Sequence, residues 1–215
     1  MQLVAIDLDG TLVDSAPDLA DGVNAALAAL ALPPADEATV RSWIGDGVDV
    51  LLERAVAAQG GDPATQLQPA LATFSAYYSD HLFDRSRLYD GVPETLAALQ
   101  ARGFTLACVT NKREAFARAV LEQAGILGRF DRVIGGDTLP YKKPDPRMLT
   151  DAAASLGARP ADAVMVGDSD HDLSAADAAG FRFVWASYGY RRDPGAMDPA
   201  RFRRIDRFPE LLEAL

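Results

Sequence analysis

Residues 3–15 read LVAIDLDGTLVDS: the apolar run Leu3-Val4-Ala5-Ile6 gives way to Asp7 and Asp9, two carboxylates at i and i+2. A short apolar run of this kind, ended by polar residues, reads as a strand buried on both faces, the kind found in parallel sheets. Burying an ionised carboxylate at the end of such a strand is costly unless something pairs with it. The two acids therefore either stand in water beyond the strand or are held together by a cation for chemistry.

Outward from that stretch, further apolar runs at Thr105–Val109, Arg132–Ile134, Ala163–Val166 and Arg182–Trp185 read as buried strands. Between about Pro17 and Arg87 the apolar spacing is helical instead: Leu19, Val23, Leu27 and Leu30, then Val48, Leu51, Leu52, Ala55 and Val56, then Leu67, Leu71, Phe74 and Tyr78. From Asp90 onward, helical segments alternate with the remaining strands. Gly103, Gly125, Gly157 and Gly180 each follow a helical pattern, as cap glycines do. Repeated strand, helix and strand implies an α/β protein with a Rossmann-like, doubly wound parallel sheet. This core covers residues 1–14 and 88–215, and an all-α insertion covers residues 15–87.

Composition narrows the function classes. With a formal net charge of -10, the chain suits neither a nucleic-acid partner nor an anionic membrane, both of which call for basic surface. No apolar segment approaches the roughly 18 residues of a membrane span, and the N-terminus lacks a secretory signal. Cys108 is the only cysteine and lies inside an apolar run, so it reads as an inert core thiol in a reducing, cytoplasmic setting.

Ligands of open parallel sheets bind at the carboxyl ends of the strands. Asp7 and Asp9 follow the first strand there, Thr110 and Asn111 the second, and Asp168 and Asp172 the fourth. Lys142 and Lys143 come after the third, beyond a short loop. Four separate stretches thus deliver polar groups to one sheet edge.

In these residues the sequence resembles the haloacid dehalogenase-like superfamily of phosphohydrolases. Its four motifs stand in order as Asp7-Leu8-Asp9-Gly10-Thr11-Leu12-Val13-Asp14, Val109-Thr110-Asn111, Lys142-Lys143-Pro144-Asp145-Pro146 and Gly167-Asp168-Ser169-Asp170-His171-Asp172. The resemblance spans essentially the whole chain and makes the helical insertion a mobile cap domain. It implies that Asp7 attacks phosphorus to form an aspartyl-phosphate and that Asp9 shuttles the proton. Mg²⁺ is then the implied cofactor, bound by the Asp7 side chain, the Asp9 carbonyl and Asp168, with Asp172 as a further ligand or an anchor behind them. Lys143 adds positive charge beside Asp7, and Thr110 and the Asn111 main chain donate to the phosphoryl oxygens. Each unit pair of like charges at 4 Å costs about 4 kcal/mol at an effective dielectric near 20, so this counter-charge is required.

Within the family, an acid at Asp9 points away from dehalogenases. The lysines are Lys112, Lys142 and Lys143, none in the insertion, which sets aside phosphonate-cleaving members that use a cap lysine. The cap turn Arg41-Ser42-Trp43-Ile44-Gly45-Asp46-Gly47-Val48 is similar to that of bacterial phosphoglycolate phosphatases. So are Tyr89-Asp90-Gly91-Val92-Pro93, Gly135-Gly136-Asp137-Thr138 and Tyr188-Gly189-Tyr190. The resemblance therefore implies a small phosphorylated metabolite as substrate, 2-phosphoglycolate foremost, with Arg41, Gly45, Asp46 and Gly47 as candidate specificity residues. A phosphatase for another small sugar or sugar-acid phosphate, a β-phosphoglucomutase-like mutase and a non-catalytic Mg²⁺-binding regulator are the alternatives. A monomer or homodimer is expected. Lys112 and Arg113 read as a solvated helix start, and Lys142 as a surface neighbour of Lys143.

Overall fold

Strand β1 (Leu3–Ile6) is fully buried along its length, as its uninterrupted apolar sequence requires. The computed structural model describes residues 2–191 and 201–215. Its chain forms two compact units, Met1–Asp14 with Leu88–Leu215 and Ser15–Arg87. Two-residue strands, β2 (Val13–Asp14) and β3 (Arg87–Leu88), stand where the chain leaves and re-enters the first unit. Helices α1 (Ala16–Ala29), α2 (Glu37–Trp43), α3 (Val48–Ala58) and α4 (Pro63–Asp80) build the second.

The first unit is an α/β fold. Strands β1, β4 (Thr105–Val109), β5 (Arg132–Ile134), β6 (Ala163–Gly167), β7 (Arg182–Ala186) and β8 (Arg203–Ile205) form one sheet in the order β5-β4-β1-β6-β7-β8. Every pairing is parallel. From β1 the chain builds outward through β4 to β5, then returns to add β6, β7 and β8 on the other side. Strand order thus reverses beside β1, and a crevice opens at the carboxyl ends there. The register Ile6↔Cys108 and Ile6↔Val166 sets the three central strand ends level, so Asp7, Thr110 and Asp168 emerge side by side.

Apolar periodicity explains most of the rest. Leu3, Ala5, Ala107, Val109, Met165 and Trp185 share one buried cluster with Met148 and Leu149 of α7 (Arg147–Ser155) and Leu173 of α8 (Asp170–Ala179). Cys108 is fully buried, and that burial pushes its thiol well up, as befits a core residue. The four cap glycines all have positive φ, between 67° and 84°. Sequence pattern gave no sign of β8, because Arg203 and Arg204 are exposed and Ile205 alone is buried. An edge strand needs only one covered side, and charged residues on it discourage further strand pairing.

In the helical unit, Leu19, Val23 and Leu27 of α1 are buried, as are Leu51, Leu52, Ala55 and Val56 of α3 and Leu71, Phe74 and Tyr78 of α4. Gly22 of α1 lies so near the Phe74 ring that a Cβ there would come within 2.8 Å of it, which lets α1 and α4 approach closely. One buried acid ties the end of this unit to its start. The Asp18 carboxylate accepts from the main-chain N–H of Arg85 (2.9 Å) and of Ser86 (2.8 Å) and from the Ser86 hydroxyl (2.5 Å). Among the described residues no helix is long and apolar enough to cross a membrane.

Asp18→Ala removes the acceptor from three donors at once, and each buried donor left unsatisfied costs about 1–3 kcal/mol. The variant is expected to melt earlier and to be cleaved faster near residues 81–88 in limited proteolysis; wild-type melting and protection would refute this role.

Candidate active site

The α/β unit gathers Asp7, Asp9, Thr110, Asn111, Lys143, Asp168 and Asp172 at the crevice beside β1. Asp7 directly continues β1, and its N–H donates to Val166 O of β6 at 2.9 Å, which fixes where its side chain begins. Its carboxylate lies 2.9 Å from Lys143 Nζ, within ion-pair distance. Lys143 Nζ also donates to Asp172 Oδ1 and to the Val109 carbonyl, both at 2.7 Å.

Asn111 explains how a loop lysine is delivered so accurately. Its side chain donates to the Lys143 carbonyl and accepts from the Lys143 N–H, each at 2.9 Å. That side chain is thereby committed to the loop. Lys143, rather than Lys142, is the buried member of the pair, at 4% exposure. Asp172 is fully buried with both oxygens engaged, Oδ1 by Lys143 and Oδ2 by the Ser169 N–H (3.1 Å) and hydroxyl (2.6 Å). Ser169 caps α8 in a capping box with Asp172, so helix start and lysine anchor are one structure.

Asp168 sits between motif one and a later loop. Its Oδ1 accepts from the Thr11 hydroxyl (3.3 Å) and its Oδ2 from the Tyr190 N–H (2.7 Å). The Tyr188 hydroxyl donates to the Thr11 carbonyl at 2.8 Å, bracing the same corner. Space here is fully used. A Cβ on Gly10, which has φ of 83°, would strike the Asp168 carboxylate; one on Gly189 would strike Asp168 and the Gly10 carbonyl, and one on Gly167 would strike Asp172.

Motif two is held from behind. Thr110 donates its N–H to Ile134 O at 3.0 Å, and its Oγ1 accepts from the Lys112 N–H at 3.2 Å. Gly136 N–H donates to the Lys112 carbonyl at 2.7 Å, and Asp137 and Thr138 both hydrogen-bond to Glu114 at the start of α6 (Glu114–Gln123). Lys112 departs from the sequence expectation. It is no solvated helix start: its side chain is 6% exposed and its ammonium lies 3.0 Å from Asp9 Oδ1. Asp9 accordingly faces a lysine of motif two. The signal available in the sequence was position alone, since Lys112 directly follows Thr110 and Asn111 at the same sheet edge.

Arg41, Gly45, Asp46 and Gly47 fall at the α2–α3 turn of the helical unit. There Arg41 pairs with Glu37 at 3.2 Å and Arg54 with Asp46 at 2.7 Å. Gly45 and Gly47 take φ of 135° and 89°.

The core residues fit a hard divalent cation. One ligand oxygen from each of Asp7, Asp168 and Asp172 lies within 4.8 Å of the others. Among the described residues Lys143 is the cation paired with Asp7 and Asp172 of this trio, and carboxylate oxygens suit Mg²⁺. Burial and the crowding of acids both shift the carboxyl groups. Burial, then Asp7 and Asp172, pushes the Asp168 carboxyl up to about 8. Burial also pushes Asp7 up to about 6, with Lys143 opposing and Asp172 and Asp9 adding to the rise. Lys143 is itself held above the ordinary lysine range: burial disfavours its charge, but Asp172 and Asp7 together outweigh burial.

Comparison with known proteins agrees with this constellation. A family model described as haloacid dehalogenase-like hydrolase matches residues 1–180. A protein named phosphoglycolate phosphatase from Nitrosococcus oceani is 43% identical over 100% of this chain and 96% of its own. One of the same name from Rhodospirillum rubrum is 46% identical over 90% of this chain and 82% of its own. Among solved structures, a predicted phosphoglycolate phosphatase from Haemophilus somnus superposes with a TM-score of 0.92 at 38% identity, covering 99% of this chain and 97% of that one. CbbY from Rhodobacter sphaeroides, in complex with phosphate, gives a TM-score of 0.83 at 26% identity over 98% of this chain and 96% of that one.

Lys143→Met strands two buried carboxylates without their partner, a change that typically costs about 3–5 kcal/mol. Urea unfolding in chelator is expected to show a loss of that order; a loss under about 1 kcal/mol would show that Lys143 does not hold this cluster together.

Proposed function

The chain belongs to the haloacid dehalogenase-like hydrolases, and we propose that it hydrolyses 2-phosphoglycolate through an aspartyl-phosphate on Asp7. The observation that carries the reaction is the buried Asp7 carboxylate with Lys143 Nζ 2.9 Å away, at a crevice edge shared with Thr110 and Asp168. The substrate rests on the names of relatives that match this chain over nearly its full length.

In this reading the phosphoryl group enters at the carboxyl end of β1, where Asp7 attacks phosphorus and the ester oxygen leaves. Lys143 lowers the cost of bringing a carboxylate up to a phosphate dianion. The Thr110 hydroxyl, whose oxygen already accepts from Lys112, has its hydrogen to give to a phosphoryl oxygen. Asp9 protonates the departing oxygen and then takes the proton of the water that hydrolyses the aspartyl-phosphate. Asp7, Asp168 and the Asp9 carbonyl would hold Mg²⁺, which would supply positive charge beyond that of Lys143. Asp172 anchors Lys143 in this scheme, because both of its oxygens are occupied.

The helical unit, residues 15–87, serves as the cap that selects substrate. Its support is the α2–α3 turn, where Gly45 and Gly47 precede the first N–H groups of α3, an arrangement able to receive a small anion.

Asp7→Asn is expected to reduce kcat by about 10³-fold or more while leaving the circular dichroism melt intact; substantial residual turnover would exclude Asp7 as nucleophile. Excess chelator should stop turnover and added Mg²⁺ restore it, whereas a rate indifferent to both would remove the metal from the scheme. Across a panel of small phosphate esters, kcat/KM should be highest for 2-phosphoglycolate. A sugar phosphate ahead of it would keep the reaction and overturn the substrate.

A further inference from the structure

The pairing of Lys112 with Asp9 has no part in the scheme above. Asp9 lies on the loop after β1, bridged through its main chain to Val13 and just before the left-handed Gly10. Asp7 is near enough for the two charges to act on each other. Lys112 Nζ donates to both Asp9 oxygens, at 3.0 and 3.3 Å. The two side chains are only 6% and 13% exposed, so the contact is shielded from competing water.

The lysine main chain is fixed on both sides, with its N–H on Thr110 Oγ1 and its carbonyl taking the Gly136 N–H. Gly136 packs against the Asn111 carbonyl with no space for a Cβ. The ammonium therefore projects from a rigid base on motif two toward an acid on motif one. The Ile6↔Cys108 register of β1 and β4 brings those two loops together.

We infer that Lys112 is a positioning residue for Asp9: it holds the carboxyl group in line with the leaving oxygen and balances the negative charge left on Asp9 once its proton has passed to that oxygen. This rests on the reading of Asp9 as the proton-transfer group. Proton transfer depends steeply on placement, and a shift of about 1 Å can cost about 10²-fold. Esters with poor leaving groups need the proton most, so they should suffer most when Lys112 is lost.

The test compares wild type, Lys112→Met, Lys112→Gln, Lys112→Arg and Asp9→Asn on phosphate monoesters running from aryl to alkyl leaving groups. Lys112→Met and Lys112→Gln are expected to lose about 10-fold in kcat on aryl esters and about 10²-fold or more on alkyl esters, with KM changed less than about threefold. Lys112→Arg should recover most of the alkyl-ester rate. Mg²⁺ affinity by titration calorimetry should match wild type in all three lysine variants. Lys112→Met and Lys112→Gln should melt earlier, since Asp9 loses a shielded partner, so all rates are compared well below each variant's own melting temperature. Equal losses across the series, or a raised KM with kcat kept, would overturn the inference, the latter making Lys112 a substrate contact. If Asp9→Asn is steep in leaving group and both Lys112→Met and Lys112→Gln are flat, the inference alone fails; if Asp9→Asn is itself flat, the acid role of Asp9 fails with it.

Discussion

One buried ammonium holds the site together. Lys143 stands between Asp172 and Asp7, with Val109 O as its third partner. Three carboxylates could not otherwise converge within a protein interior, because each burial costs several kcal/mol and their mutual repulsion adds to it. The surrounding structure serves to place that charge. Asn111 clamps the lysine main chain, and the Ser169 capping box turns Asp172 toward it. Even so, the acids outnumber their buried partner, and burial and crowding together raise the carboxyls of Asp168 and Asp7. A site short of one strong positive charge is a site prepared for a divalent cation.

Space constrains the site as tightly as charge does. Gly10, Gly167 and Gly189 each stand where a side chain would collide with Asp168, Asp172 or the main chain beside them. Gly136 does the same behind motif two, against Asn111. These close approaches let loops from neighbouring strand ends pack tightly around the acids. The result is preorganisation, in which charges are placed before any substrate arrives.

The chain carries a formal charge of -10 and only the lysines Lys112, Lys142 and Lys143. Two of these are buried at the crevice, each paired to an acid of motif one: Lys143 to Asp7 and Lys112 to Asp9. Lysine, scarce in this sequence, is thus concentrated where an anionic substrate would react. An acidic surface and a phosphate-handling site are compatible for that reason, since short-range contacts in a shielded crevice outweigh the diffuse field of exposed carboxylates.

The sequence by itself determined the fold class, the positions of the main strands along the chain and the identity of the acids at the strand ends. Those features follow from local pattern: unbroken apolar runs for buried strands, 3.6-residue spacing for helices, and polar residues just past each run. The edge strand Arg203–Ile205 escaped because an edge needs too few apolar residues to make a pattern. Partner choice was decided only by the tertiary structure. Asp172 as an anchor for Lys143, Asn111 as a clamp on the Lys143 loop, and Lys112 on Asp9 are contacts between residues 29 to 103 positions apart. No local pattern encodes such pairings, because they depend on strand register and on which loops the crevice brings together. The DxD of LVAIDLDGTLVDS announces two acids, and it is the fold that gives each of them its own lysine.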